Sequence, residues 1–259
     1  MLHSGLVSIT FRQLSPQEII KLIVQAGLEG IEWGGDIHAP HGNFIRAREV
    51  RRMTTEAGLH IAAYGSYYRA GHEDSGPFAA VLETALELEA PLIRVWAGIQ
   101  GTDTADAAYF HRVVEDSQRI AELSAQAGIG IAYEFHANTL TDTNEAASRL
   151  LNTVAHENIA SYWQPPRYST VEYNLAGLAA VLPWLQHIHV FNWHIKTGER
   201  LFLAEAEASW RRYFKSIAAT GRDHFAMLEF VKDDAPEVFL QDAATLKKWL
   251  VLVNREMAS

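Results

Sequence analysis

The sequence predicts an α/β protein, a closed barrel of eight parallel strands alternating with eight helices, and three observations carry that expectation. Four helical patterns end in a small residue followed by glycine, at Ala26-Gly27, Ala57-Gly58, Ala127-Gly128 and Thr220-Gly221. Glycine enters the left-handed conformation of a helix C-cap without a Cβ penalty. These glycines stand 31, 70 and 93 residues apart, close to one, two and three repeats of a unit whose length, roughly 31–35 residues, falls in the range of supersecondary repeats. Strand-like and helical stretches alternate at that period, as repeated βα units do. Eight such units in 259 residues match a (β/α)8 TIM barrel, typically about 250 residues long.

Taken in order, the strand-like segments are Leu6–Phe11, Gly30–Trp33, His60–Tyr64, Leu92–Trp96, Ile129–His136, Ala160–Gln164, His187–Phe191 and Phe225–Val231. The first helix has a clear start: Ser15 as N-cap, Pro16 in the first turn and Glu18 three residues on, a capping box. Asp142-Thr143-Asn144-Glu145 repeats that signature before Ala146–Val154. Ala90-Pro91 stops a helix rich in Ala and Leu and hands over to Leu92-Ile93-Arg94-Val95-Trp96. Alternating β and α with short links implies a parallel sheet. An open doubly wound sheet is the competing fold, but no Gly-x-Gly-x-x-Gly turn follows the first strand. One domain is expected over residues 1–259, with no linker or low-complexity stretch.

Composition narrows the function. With no Cys, disulfides, thiolate zinc sites, iron–sulfur clusters and cysteine nucleophiles are excluded. A net charge of −9 argues against a broad nucleic-acid footprint, which needs a surplus of Lys and Arg. No apolar run approaches the roughly 18–20 residues that cross a bilayer, and the N-terminus lacks the pattern of an export signal. A soluble, cytoplasmic protein is expected, acting on a small molecule and not on nucleic acid or membrane. A homo-oligomer is compatible with the sequence, and the oligomeric state stays open.

In such a barrel the chemistry sits at the C-terminal strand ends, and the last four strands each deliver a polar residue there. They are Glu134, Gln164, His189 and Glu229. An uncompensated carboxylate or imidazole among such apolar neighbours costs several kcal/mol, roughly, in desolvation, so a cation is expected to balance them. Two Glu, one His and an amide oxygen suit Mn²⁺, Mg²⁺, Co²⁺ or Zn²⁺, with positions left open for substrate oxygens. Of His187 and His189, only one is expected to point inward. The alternative is structural ion pairing of the glutamates with Arg94 or Arg167.

These residues carry a resemblance. The chain resembles the xylose-isomerase-like barrel superfamily, in particular the sugar phosphate isomerase/epimerase group. The resemblance rests on Ser8-Ile9-Thr10-Phe11-Arg12, Gly30–His38, Glu134-Phe135-His136 with Thr139–Thr143, His187-Ile188-His189-Val190 and Leu228-Glu229-Phe230. It implies one divalent metal held by Glu, Asp, His and Glu from strands 5 to 8. Glu134, His189 and Glu229 match in type and order, while the Asp position is Gln164 and the family's following His becomes Arg167. Gln164 is expected to bind through its carbonyl oxygen, and Arg167 suits a substrate carboxylate or phosphate. The resemblance further implies enolisation of a polyhydroxy carbonyl compound, with Glu134 and Glu229 as the catalytic acid/base pair.

Six residues are expected to contact substrate: Trp33, His38, Trp96, His136, Arg167 and Trp193. The tryptophans would form apolar walls against sugar C–H faces. Glu32, on the second strand, would orient a ligand from behind. Three activities fit: a metal-dependent sugar isomerase or epimerase, a dehydratase of a cyclic polyol or keto acid on the same residues, and a metal-free sugar-binding relative. A DNA-repair endonuclease of the same superfamily needs more histidines and a basic cleft, and is discounted.

Overall fold

Eight short, largely apolar segments form the strands: β1 (Leu2–Val7), β2 (Gly30–Gly34), β3 (His60–Arg69), β4 (Leu92–Trp96), β5 (Gly130–Tyr133), β6 (Ile159–Trp163), β7 (Leu185–Val190) and β8 (His224–Leu228). In the computed structural model, which describes residues 1–166 and 168–258, each strand pairs in parallel with the next. β1 closes on β8 from Leu2↔His224 to Leu6↔Leu228. The result is a single-domain (β/α)8 barrel. Among the described residues no helix is long and apolar enough to cross a membrane.

The punctuation read from the sequence is present. α1 (Pro16–Ala26) opens with the Ser15/Glu18 capping box and ends at Gly27, whose φ of 65° lets its N–H reach back to Ile23 and Val24. α5 (Asn144–Val154) is capped by Thr143, whose hydroxyl accepts from the Ala146 N–H. The first strand differs from expectation: it runs over Leu2–Val7, and Ser8–Phe11 form a 3₁₀ turn. Three hydrogen bonds explain the shift. Asn254 of α8 (Pro236–Ala258) pairs with both backbone polar groups of Leu2 at 2.9 Å, and the Ser8 hydroxyl accepts the Gly34 N–H at 2.8 Å.

Two apolar layers hold the fold. The larger lies between barrel and helices and includes Trp33, Trp163, Trp210, Phe214 and Trp249. The smaller fills the barrel interior with Val7, Ala62, Leu92, Ala132, Tyr162 and Met227. Because a strand returns to the same face every second residue, the interior positions Ala132, Tyr162, His187 and Met227 send Glu134, Gln164, His189 and Glu229 to the same end of the barrel. His187 and His189 therefore both face inward, contrary to expectation; each meets the Tyr162 ring, at 5.5 and 4.9 Å.

Candidate active site at the C-terminal mouth

Glu134, His189 and Glu229 are buried and converge, each offering one ligand atom, with those atoms within 4.8 Å of one another. His189 Nδ1 lies 3.7 Å from Glu134 Oε1 and 3.5 Å from Glu229 Oε2. Gln164 joins them: its Oε1 is 2.9 Å from His189 Nδ1. Its orientation is fixed, because its Nε2 donates to the Phe135 carbonyl at 2.6 Å, which turns the acceptor oxygen toward the cluster. An ion with bonds of about 2.0–2.2 Å sets its ligands roughly 3–4.4 Å apart, so this donor set fits a divalent cation with small side-chain adjustments.

Behind the cluster lies a buried charge network. Arg94, two residues before Trp96 on β4, donates from Nε to Glu32 Oε1 at 2.7 Å and from Nη1 to Glu134 Oε2. Glu32 Oε2 in turn stands 3.6 Å from His189 Nε2. The ion pairing expected as an alternative for Glu134 is thus present alongside the converging ligand atoms. Three carboxylates (Glu32, Glu134, Glu229) against one guanidinium leave two negative charges, which a divalent ion would cancel. Gly65 makes room for the network: a Cβ there would meet Glu32 Oε1 at 2.6 Å and Arg94 Nη2 at 2.7 Å.

Electrostatics separates the groups. Burial raises the Glu32 carboxyl, but Arg94 and His189 outweigh it and hold Glu32 down at about 2. Burial pulls the His189 imidazole down, and the surrounding glutamates, Glu229 foremost, bring it above its ordinary value. Glu229 is pushed up to about 7, by burial first and also by Glu134, with His189 opposing.

The cluster lies at the base of a cavity of about 510 Å³ whose lining includes Arg94, Trp96, Glu134, His136, Gln164, Trp193 and Glu229. Trp96 stacks on His136 at 4.5 Å and donates its indole N–H to Glu134 Oε2 at 2.5 Å. Trp193 stacks on Phe191 at 4.6 Å at the start of the loop after β7. Two expected contacts lie elsewhere. Trp33 points outward, beneath α2 (Phe44–Glu56), where its indole donates to Thr54; it neighbours inward-facing Glu32 and so takes the opposite face. His38 is buried between the Ser8 hydroxyl (2.9 Å) and the Leu14 carbonyl (3.2 Å), a structural tie. Arg167 lies outside the described residues.

Among the lining residues that sequence reasoning did not assign to the site are Arg12 and Tyr67. Tyr67 sits where β3 slips against β4: Gly65 pairs with Arg94, but the next pair is Tyr68 with Val95. Ser66 stabilises this bulge by donating to the Arg94 carbonyl and accepting from the Tyr68 N–H. Tyr67 adopts a φ of 57°, and bulges of this kind re-aim side chains beside active sites.

The model of the family described as "Xylose isomerase-like TIM barrel" matches residues 20–249. The chain belongs to that family. Among curated relatives of this xylose isomerase-like barrel, a 3-dehydroshikimate dehydratase of Bacillus anthracis is 25% identical over 292 aligned positions, covering 98% of this chain and 97% of that one. A solved structure of the probable 3-DHS dehydratase involved in petrobactin synthesis, also from Bacillus anthracis, superposes with a TM-score of 0.78 at 23% identity, over 95% of this chain and 99% of that one. A xylose isomerase-like TIM barrel protein from Mycobacterium smegmatis, solved in complex with magnesium, gives 0.76 at 13% identity over 97% of both chains. D-psicose 3-epimerase gives 0.69 at 15% identity, over 97% of this chain and 99% of that one. The probable dehydratase and the epimerase thus share this fold.

Proposed function

We propose that this chain is a divalent-metal-dependent enzyme that removes the proton beside the carbonyl of a small polyhydroxy compound, and that its reaction is a dehydration. The convergence of Glu134, His189 and Glu229 at the base of the cavity carries the reading. Glu134, His189 and Glu229, with Gln164 through its oxygen, would hold the ion. The ion, when bound, supplies Lewis-acid polarisation of a substrate carbonyl and the adjacent hydroxyl.

The hydrogen bonds distinguish the two glutamates. Glu134 Oε2 already accepts from both Arg94 and Trp96, and its Oε1 faces His189, so neither oxygen is well placed to take a proton. Glu229 receives no side-chain hydrogen bond from a described residue and lines the cavity. It is the proposed base. An elimination needs only one: Glu229 takes the α proton, the C–H electron pair becomes the C=C bond, and the β-hydroxyl departs as water with a proton from a cavity donor, for which His136 is the candidate. Epimerisation also needs a group on the opposite face to return the proton, and Glu134 would have to give up its Arg94 and Trp96 contacts to do so. Similarity to 3-dehydroshikimate dehydratase supports dehydration. The epimerase neighbours support proton exchange without elimination as the second reading.

The test incubates Mn²⁺-loaded protein with 3-dehydroshikimate and, separately, with ketohexoses in deuterated water. Release of water with an ultraviolet-absorbing unsaturated product, lost in Glu229→Gln, is the expected result. Deuterium entry beside the carbonyl of a ketose, without an unsaturated product from either substrate, would replace dehydration by epimerisation.

A further inference from the structure

We infer that Arg12 and Tyr67 form a carboxylate-binding subsite on the wall of the cavity, so that the substrate is a polyhydroxy carbonyl compound carrying a carboxylate. The inference rests on reading the cavity as the substrate site and adds the chemical class of what enters it.

The argument follows from what each donor has left to give. Arg12 leaves the 3₁₀ turn after β1 with its side chain 47% exposed, and its Nε edge is taken by Asp36 Oδ2 at 2.9 Å. Its Nη2 donates to the Tyr67 hydroxyl oxygen at 3.0 Å. Its Nη1 makes no hydrogen bond to a described residue. The Tyr67 oxygen is therefore already an acceptor, and its own O–H must be donated elsewhere; no described residue receives it. Burial holds that phenol well above its ordinary range, with Arg94 opposing, so the proton stays in place as a donor.

Two unspent donors, Arg12 Nη1 and Tyr67 O–H, thus belong to adjacent groups that both line the cavity. A carboxylate, with two acceptor oxygens in a plane, satisfies both at once. The pair is also held in place. Asp36 fixes the guanidinium from behind. The Tyr67 ring lies edge-on to Trp96 at 5.5 Å and has the Arg94 guanidinium 5.3 Å from its centre. The bulge that inserts Ser66 and Tyr67 into β3 delivers the phenol to this wall. A neutral sugar hydroxyl offers a single oxygen and no charge to meet the guanidinium, so it matches the pair less well than a carboxylate does.

The experiment measures binding, without turnover, of shikimate and of methyl shikimate to Mn²⁺-loaded protein by calorimetry. Shikimate is a cyclic polyol acid that lacks the ketone; its methyl ester lacks only the charged carboxylate. Wild-type protein is expected to prefer shikimate by roughly tenfold or more, the scale of hydrogen bonds to a charged group. Tyr67→Phe and Arg12→Met should each remove most of that preference while leaving methyl shikimate binding and the melting temperature nearly unchanged. A wild-type protein that does not prefer the acid, or variants that keep the full preference, would overturn the subsite. Because no reaction is required, the dehydration assay can fail while this one succeeds, and the reverse.

Discussion

Arg94 and Glu32 form an ion pair at 2.7 Å with side chains 1% and 0% exposed. A pair this deep is not a stability device in itself, since desolvation offsets most of the attraction. Its position explains it better: the same guanidinium reaches Glu134, and the far oxygen of Glu32 faces the His189 ring. The pair ties together two of the three converging ligands from behind.

Arg94→Leu is accordingly expected to be costly. It leaves Glu32 buried without its cation and Glu134 without its anchor, a loss on the order of 3–5 kcal/mol for a broken buried pair. Urea denaturation of the metal-free variant measures it. A loss below about 1 kcal/mol, the scale of an exposed pair, would show that the network relaxes onto water.

Metal affinity should respond to Gln164 in a direction opposite to most site mutations. Gln164→Asp adds a third ligand carboxylate where an amide oxygen now stands 2.9 Å from His189 Nδ1. Binding of Mn²⁺ by competition with a fluorescent chelator is expected to tighten by roughly tenfold or more, about 1.4 kcal/mol. Unchanged or weaker binding would remove Gln164 from the ligand set.

Asp242 gives the molecule a pH signature away from the site. It lies in α8, buried, accepting the Leu203 N–H at 2.9 Å, and burial raises its carboxyl to about 6 against the usual 3.8. The folded state therefore binds the proton more tightly than the unfolded chain. Its contribution to stability is greatest below pH about 4 and falls as pH rises to about 6, staying low above that. Asp242→Asn, which keeps an oxygen for Leu203, should stabilise the protein at pH 7–8 by up to about 3 kcal/mol and give no gain near pH 4. Equal melting shifts at both pH values would contradict the assignment.

Much of this site was legible in the sequence because strand parity carries it. Glu134, Gln164, His189 and Glu229 each lie two residues beyond an interior position, and a barrel of parallel strands places such residues at one mouth. The same parity puts Trp33 opposite Glu32 and aligns His187 with His189; aromatic character at a strand end draws Trp33 toward the mouth against its register, and the histidine pair is misjudged when residues two apart are taken to alternate in facing. Arg94 was legible as a charge inside a strand, although its two partners are more than 30 residues away in sequence. Tyr67 was not, because a bulge breaks the period-two pattern that would have revealed its facing. His38 resembles a rim residue until the 3₁₀ turn at Ser8–Phe11 brings the Ser8 hydroxyl against its ring.

The central claim is that Glu134, His189 and Glu229 hold one divalent ion. Calorimetric titration of Mn²⁺ into chelator-stripped protein, with Glu134→Gln/Glu229→Gln as the reference, tests it most directly. One site per chain that disappears in the double variant is the predicted result. No saturable binding by the wild type at millimolar Mn²⁺ would contradict it and leave a metal-free sugar-binding barrel in its place.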